Sequence, residues 1–268
     1  MRMKNVFLAA LALGLMAGPS LADHSWGDYH WARTTSSFNL TIVNSTTADW
    51  DSYVAQAEGD WSVSSKLNMV PVDGDTSSTT RRQCRAPQGQ VRICNLTYGQ
   101  NGWLGIAGIS IDTNGHIVSG YTKLNDTYFS WDYYNNPAWK QSVTCQELGH
   151  NIGLDHQDED FDNESLKSCM DYQDPPWPSP NQHDYDQLET IYAHLDSYNS
   201  YVSDGGGGGG GGGCNAPPGK GCNKGETGNG TGNAWGISLG RRGQHETFLR
   251  IDPDGTRHIT FVTWVKGH

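Results

Sequence analysis

The stretch Gln146-Glu-Leu-Gly-His150-Asn-Ile-Gly153-Leu-Asp-His156 governs how the rest of the chain is read. On a helix, positions 146 and 150 lie one turn apart on the same face, so both side chains reach one metal ion. Glu147 sits one position round from that face, where a carboxylate takes a proton from water at the ion. Gly153 suits the residue that ends the helix in a left-handed turn, because it lacks the Cβ that makes such a turn costly. The chain then doubles back and offers His156 to the same metal. The spacing Glu-x-x-His-x-x-Gly-x-x-His is highly specific.

Two further segments follow in order: Ser168-Cys-Met170-Asp-Tyr172, then Asn181-Gln-His-Asp184-Tyr-Asp-Gln-Leu188-Glu-Thr-Ile191-Tyr192. In the second, Tyr185, Leu188, Ile191, Tyr192 and Leu195 fall at helical spacing. Together, residues 142–196 resemble the metzincin clan of zinc endopeptidases, and its matrixin branch in the last helix. The clan motif is His-Glu-x-x-His-x-x-Gly-x-x-His; here Gln146 stands in place of the first histidine. From about residue 30 to 141 the resemblance is weaker but keeps its order. It implies an α+β fold: a metzincin-like catalytic domain with a mixed sheet, a zinc helix, a Met-turn and a terminal helix. It also implies Zn2+ on His150 and His156, with Gln146 as a poor third donor. Glu147 would be the general base and Tyr172 would attend the oxyanion or the metal. Gly153 and Met170 would support the site, and the substrates would be polypeptides.

Gln146 leaves three readings open, because a carboxamide oxygen is neutral and a poorer zinc ligand than imidazole. The site works, with Gln146 ligating weakly or with Tyr172 or water in its stead; or it binds metal without turnover; or it is an empty relic. Glu147 favours the first, since a dead site has no need of a base. The rival from another class is a catalytically inactive secreted binding protein that uses the same cleft. No Ser-His-Asp or cysteine nucleophile arrangement competes.

Residues 1–22 read as a secretory signal: Arg2 and Lys4, an apolar Val6-to-Ala17 stretch, then Ser20-Leu21-Ala22. That stretch is too short to span a membrane, as is every other apolar run. The six cysteines agree with a secreted, extracellular destination, and their spacing suggests Cys84 with Cys94, Cys145 with Cys169 and Cys214 with Cys222. The second pair, or else two free buried thiols, stands between the zinc helix and the Met-turn. Residues 23–213 carry 9 Lys and Arg against 25 Asp and Glu, a net −16, and residues 214–268 carry 7 against 4, a net +3. So acidic a body argues against nucleic acid. The run Asp155, Asp158, Glu159, Asp160, Asp162, Glu164 is a solvated acidic loop or a Ca2+ site, though calcium loops alternate more tightly around a glycine.

Upstream, Phe38–Val43, Leu67–Val72, Val91–Tyr98, Trp103–Ile111 and His116–Leu124 read as strands, with Asp112-Thr-Asn-Gly115 a hairpin turn. Thr47 is expected to cap a helix over about 48–58, with Trp50, Val54 and Ala57 inward. A sheet edge beside the cleft would hold an extended peptide by its backbone. His116 reads as an exposed turn histidine rather than a metal ligand, and His183 and His194 as solvent or cap residues on the terminal helix. Trp177, in Pro175-Pro-Trp-Pro-Ser-Pro180, lines a substrate pocket or packs its own loop. Asn-x-Ser/Thr sequons occur at Asn39, Asn44, Asn95, Asn125, Asn163 and Asn229. The metzincin cysteine-switch segment Pro-Arg-Cys-Gly is missing before the first strand, so any latency uses another device.

The expected organisation is a signal at 1–22, a catalytic-type domain at 23–204, a polyglycine linker at 205–213 and a small β-rich module at 214–268. Nine consecutive glycines act as a flexible tether of roughly 15–18 Å mean span. The tail, with strand-like runs at 235–239, 246–251 and 258–265, would bind a surface or substrate, or dock as a flap on the acidic body. It is marginal as an independent fold.

Overall fold

The computed structural model describes residues 24–158, 160, 162–202 and 234–268. The signal stretch, the glycine tract and the Cys214–Cys222 pair lie outside them. Alternating apolar side chains build a mixed sheet from β1 (His30–Trp31), β2 (Phe38–Ser45), β3 (Leu67–Asp73), β4 (Val91–Leu96), β5 (Trp103–Ile111) and β6 (His116–Asn125). β2, β3, β4 and β6 run parallel, and β5 returns antiparallel to β6 through the expected Asp112–Gly115 turn, where Gly115 takes φ 93°. β1 pairs parallel with the start of β6, setting His30 opposite His116.

Among the described residues five α-helices accompany the sheet: α1 (Asp51–Trp61), α2 (Ser78–Gln83), α3 (Asp126–Phe129), α4 (Pro137–His150) and α5 (Gln182–Ile191). The fold is α+β. Trp50, Val54, Ala57 and Trp61 turn inward with Leu40, Ile42, Ile93, Val143 and Leu148 to make the main core. None of the described helices is long and apolar enough to cross a membrane. Cys84–Cys94 and Cys145–Cys169 are disulfides, the second linking α4 to the turn that carries Met170.

Several local expectations need correction. The Thr47 side chain does not cap α1; a 3-10 turn at Ala48–Trp50 intervenes, and the Thr47 hydroxyl accepts from Asn95 Nδ2 at 3.0 Å. The helix starting at Gln182 ends at Ile191, so Leu195 is exposed and His194 lies beyond the helix. Asn95 and Asn125 are buried and hydrogen-bonded, which removes both as glycan acceptors in the folded chain.

The tail forms three strands: β7 (Ile237–Arg242), β8 (His245–Ile251) and β9 (Arg257–Trp264). They extend the body's own sheet, in the order β3-β2-β4-β6-β5-β9-β8-β7. β9 pairs antiparallel along the whole of β5, from Trp103 opposite Trp264 to Ile111 opposite Arg257. The edge expected to hold an extended peptide is therefore taken by the protein's own strand. The physical reason is general: a row of unpaired backbone donors and acceptors takes whatever strand is at hand. Trp235, Phe248, Val262 and Trp264 then bury Trp103 and Ile106 in a second, smaller core. Charge assists at the margins, where Lys266 Nζ meets Asp174 at 2.9 Å.

Candidate active site

Asn136 starts α4 by accepting from the Trp139 amide at 3.0 Å, and Pro137 fills the first turn, where its missing N–H costs nothing. From Gln141 onward every residue of α4 is buried, so the polar motif lies in the interior. Gly149 makes this possible: a Cβ there would stand 2.6 Å from Met170 Sδ and 2.8 Å from the Trp61 ring. Gly153 takes φ 99°, and a Cβ on it would meet the Tyr29 carbonyl oxygen at 2.5 Å. Only glycine fits that turn, which sends the chain back toward His156.

The two histidines converge. His150 Nε2 lies 3.1 Å from His156 Nε2. His150 Nδ1 donates to the Leu154 carbonyl at 2.9 Å, and His156 Nδ1 meets the Tyr172 hydroxyl at 2.7 Å. Each ring is thus held from its outer nitrogen, with its inner nitrogen aimed at the other ring. Burial, and then the neighbouring His156, push His150 down to about 3, so it is neutral and in the ligating form. A tetrahedral zinc ion with ligands at about 2.0–2.1 Å separates its donors by about 3.3 Å, close to the spacing of these nitrogens. Met170 is buried against Gly149 of α4: Ser168 Oγ accepts from its amide at 2.9 Å and donates to Asp184 Oδ2 at 2.6 Å. Asp184 in turn completes a capping box with Asn181 at the start of α5.

Glu147 is fully buried beside this pair. The Thr263 hydroxyl donates to Glu147 Oε1 at 2.7 Å, while Oε2 is buried without a hydrogen-bond partner. Burial pushes the carboxyl up to about 8, against the lowering effect of Thr263 and the Ala107 amide. Gly105 leaves room for it, since a Cβ there would approach Oε1 to 2.6 Å. Gln146 is buried, with Oε1 at 3.4 Å from the Thr263 hydroxyl.

Three tail residues close the site. Phe261 stacks flat on His150, with ring centroids 4.3 Å apart and planes 6° from parallel. His245 stacks on Tyr172 at 3.8 Å and packs on His156 at 4.4 Å. Thr263 holds Glu147. His245 is itself pushed well below the usual histidine range, by burial and then by His156 and His150. A small cavity lined by Gln146, Asp171, Tyr172, Gln244, His245 and Thr263 lies on one side of the site, and a larger one bordered by His156, Tyr172, Arg242 and Thr247 on another. Pro176 reaches the rim of the small cavity, whereas Trp177 is 41% exposed and stands off it.

The structure thus brings Gln146, Glu147, His150, His156, Met170 and Tyr172 together, and adds His245, Phe261 and Thr263, which the sequence did not single out. Each of these three is an ordinary strand residue of the tail; no local signal marks it. In the acidic run, Asp158 accepts from the Asp160 amide and Asn163 Nδ2, and Asp160 from the Asp162 amide. These carboxylates tie the loop to itself, and a calcium reading gains no support. His116 is half-buried, with Nδ1 at 2.7 Å from the Tyr198 hydroxyl and Nε2 at 3.2 Å from Asp196 Oδ1. It is not an unpartnered turn histidine, and His194, beside His30, is not a cap residue.

No family model matches the chain, and no curated protein matches it. Among solved structures it is similar to high choriolytic enzyme 1, a hatching enzyme zinc-protease from Oryzias latipes (medaka fish). The identity is 10%, the match covers 61% of this chain and 94% of that one, and the TM-score is 0.34. So loose a superposition decides neither fold nor chemistry, which rest on the residues above.

Proposed function

We propose that this chain is an exported zinc-dependent endopeptidase held closed by its own C-terminal strands. The observation that carries this reading is the meeting of His150 Nε2 and His156 Nε2, 3.1 Å apart, on the helix that also buries the carboxyl of Glu147. His150 and His156 would hold the metal. Zinc bound there would polarise a scissile carbonyl and acidify water to a pKa of about 7.

The chain's own groups do the rest. With Thr263 withdrawn and water admitted, Glu147 loses the burial that keeps its carboxyl protonated; it then takes the proton released by water and delivers it to the leaving amine. Tyr172 orients His156 through its hydroxyl, and it faces the open cleft once His245 leaves its ring. The β5 backbone, freed of β9, is the edge that would take an extended polypeptide as an added strand. The glycine run would keep the released tail close to the body, so closure recurs without a second molecule.

The test compares the full chain with a variant whose tail docks weakly, using zinc analysis and a quenched peptide with and without chelator. Cleavage that rises in the variant and falls with chelator supports the proposal. A second reading has one observation in its favour: Glu147 and His150 are wholly enclosed. A secreted protein that binds through this surface without cleaving would show zinc-independent binding and no turnover even with the tail displaced.

A further inference from the structure

A second group of imidazoles lies where β1, β6 and the chain leaving α5 meet. The Asp196 amide donates to the Arg33 carbonyl at 2.8 Å and the Ser200 amide to the Ala32 carbonyl at 3.0 Å, laying 196–200 along the residues after β1. The Arg33 amide donates to Asp196 Oδ2 at 2.9 Å. His194 and Asp196 are thereby brought onto His30. His30 Nε2 is 3.2 Å from His194 Nε2 and 3.4 Å from each Asp196 carboxylate oxygen. His194 Nε2 is 3.6 Å from Asp196 Oδ1.

The proton count makes this arrangement informative. His30 Nδ1 donates to the Asp28 carbonyl at 2.7 Å, so in the neutral ring Nε2 is an acceptor. It faces two carboxylate oxygens, and lone pairs at that separation repel, so a shared cation turns the repulsion into ligation. With its proton on Nδ1, His194 presents a further lone pair from Nε2 to the same point. Donors around a tetrahedral ion with bonds of about 2.0–2.1 Å stand about 3.3–3.4 Å apart, the spacing found here. A backbone carbonyl on the outer nitrogen is the partner a metal-bound histidine usually has.

We propose that His30, His194 and Asp196 bind a zinc-class cation, separate from the His150–His156 pair. His116, held at Nδ1 by the Tyr198 hydroxyl, reaches Asp196 Oδ1 with its Nε2 at 3.2 Å and helps to fix the carboxylate. Two imidazoles and one carboxylate suit zinc, and nickel or copper by affinity, far better than calcium or magnesium. His194 is 56% exposed, which leaves the ion's fourth position to water. The ion would clamp the N-terminal segment to the end of the body. That segment supports the turn before His156, since the Trp26 amide donates to the Gly153 carbonyl at 3.1 Å and the Asp155 amide to the His24 carbonyl at 2.6 Å.

The test uses the full chain and its His194→Ala and His194→Cys variants, each stripped of metal and titrated with Zn2+ alone, then with Co2+. His194 is exposed, so neither substitution threatens folding. His194→Ala should bind one zinc fewer per chain than the parent and lose part of the zinc-dependent rise in melting temperature. His194→Cys should regain that zinc, and its cobalt form should show a thiolate charge-transfer band. Equal zinc stoichiometry in parent and His194→Ala overturns the site. So does a cobalt-loaded cysteine variant without the band. Neither readout involves peptide cleavage, so the outcome is independent of the peptidase proposal.

Discussion

The Thr263 hydroxyl donates to Glu147 Oε1 at 2.7 Å, across a sequence separation of 116 residues. A residue of the tail thereby binds one oxygen of the one acidic side chain in the motif. Thr263→Val keeps the volume and deletes the donor. Leaving a buried acceptor unsatisfied costs about 1–3 kcal/mol, and that cost falls only on the docked state. Chelator-sensitive cleavage of a quenched peptide should therefore rise about tenfold. An unchanged or lower rate would show that the hydroxyl does not hold the cleft shut.

Glu147→Gln removes the base and leaves the histidines in place. In the Thr263→Val background, turnover should fall by about 10²–10⁴-fold. Zinc content by elemental analysis should stay the same. Peptide cleavage that survives this change would assign proton transfer elsewhere.

Gln146→His restores an imidazole one turn before His150. Zinc affinity, measured by competition with a chromogenic chelator, should tighten at least tenfold, because imidazole is the better donor at that spacing. If affinity does not move, the side chain at 146 faces Thr263 and the cavity rather than the ion.

Glu58 offers a pH signature away from the site. It is buried on α1, and burial pushes its carboxyl from 4.5 up to about 7, with Oε1 lacking a hydrogen-bond partner. The folded chain thus binds this proton more tightly than the unfolded chain. The sign follows: its penalty is absent below about pH 4.5, grows as pH rises, and is complete above about pH 7. Allowing for residual solvation, the penalty is about 1–2 kcal/mol, or a few degrees of melting temperature. Glu58→Gln should therefore melt about 3–6 °C higher at pH 8 and nearly level with the parent at pH 4.5. Equal differences at both pH values would exclude the titration.

The zinc-type helix was legible because its information is local: Glu147, His150, Gly153 and His156 sit at fixed helical offsets, and Gly153 marks the turn by itself. The strands from Phe38 to Asn125 were legible through alternation, and two cysteine pairs through short spacing. What escaped was partnership. Strand character in 257–264 says nothing about which edge it joins, since backbone hydrogen bonds are blind to side-chain identity. His30 and His194 are 164 residues apart, and neither carries a neighbouring residue that announces the other. The Asn181–Asp184 pair, at capping-box spacing, marks in the sequence itself where α5 begins.

The outermost strand of the docked sheet is β7, and all six of its residues are exposed. It carries Arg241 and Arg242, and its pairing slips between Ser238 and Gly240. Positive charge and a kink both discourage another chain from adding to that rim. β5 has neither defence: Trp103-Leu-Gly-Ile-Ala-Gly-Ile-Ser-Ile111 contains no charge and no proline, the make-up of an aggregation-prone strand. Lifting the tail would exchange a guarded rim for a sticky one. Docked, β9 thus also covers the strand through which this chain would otherwise self-associate.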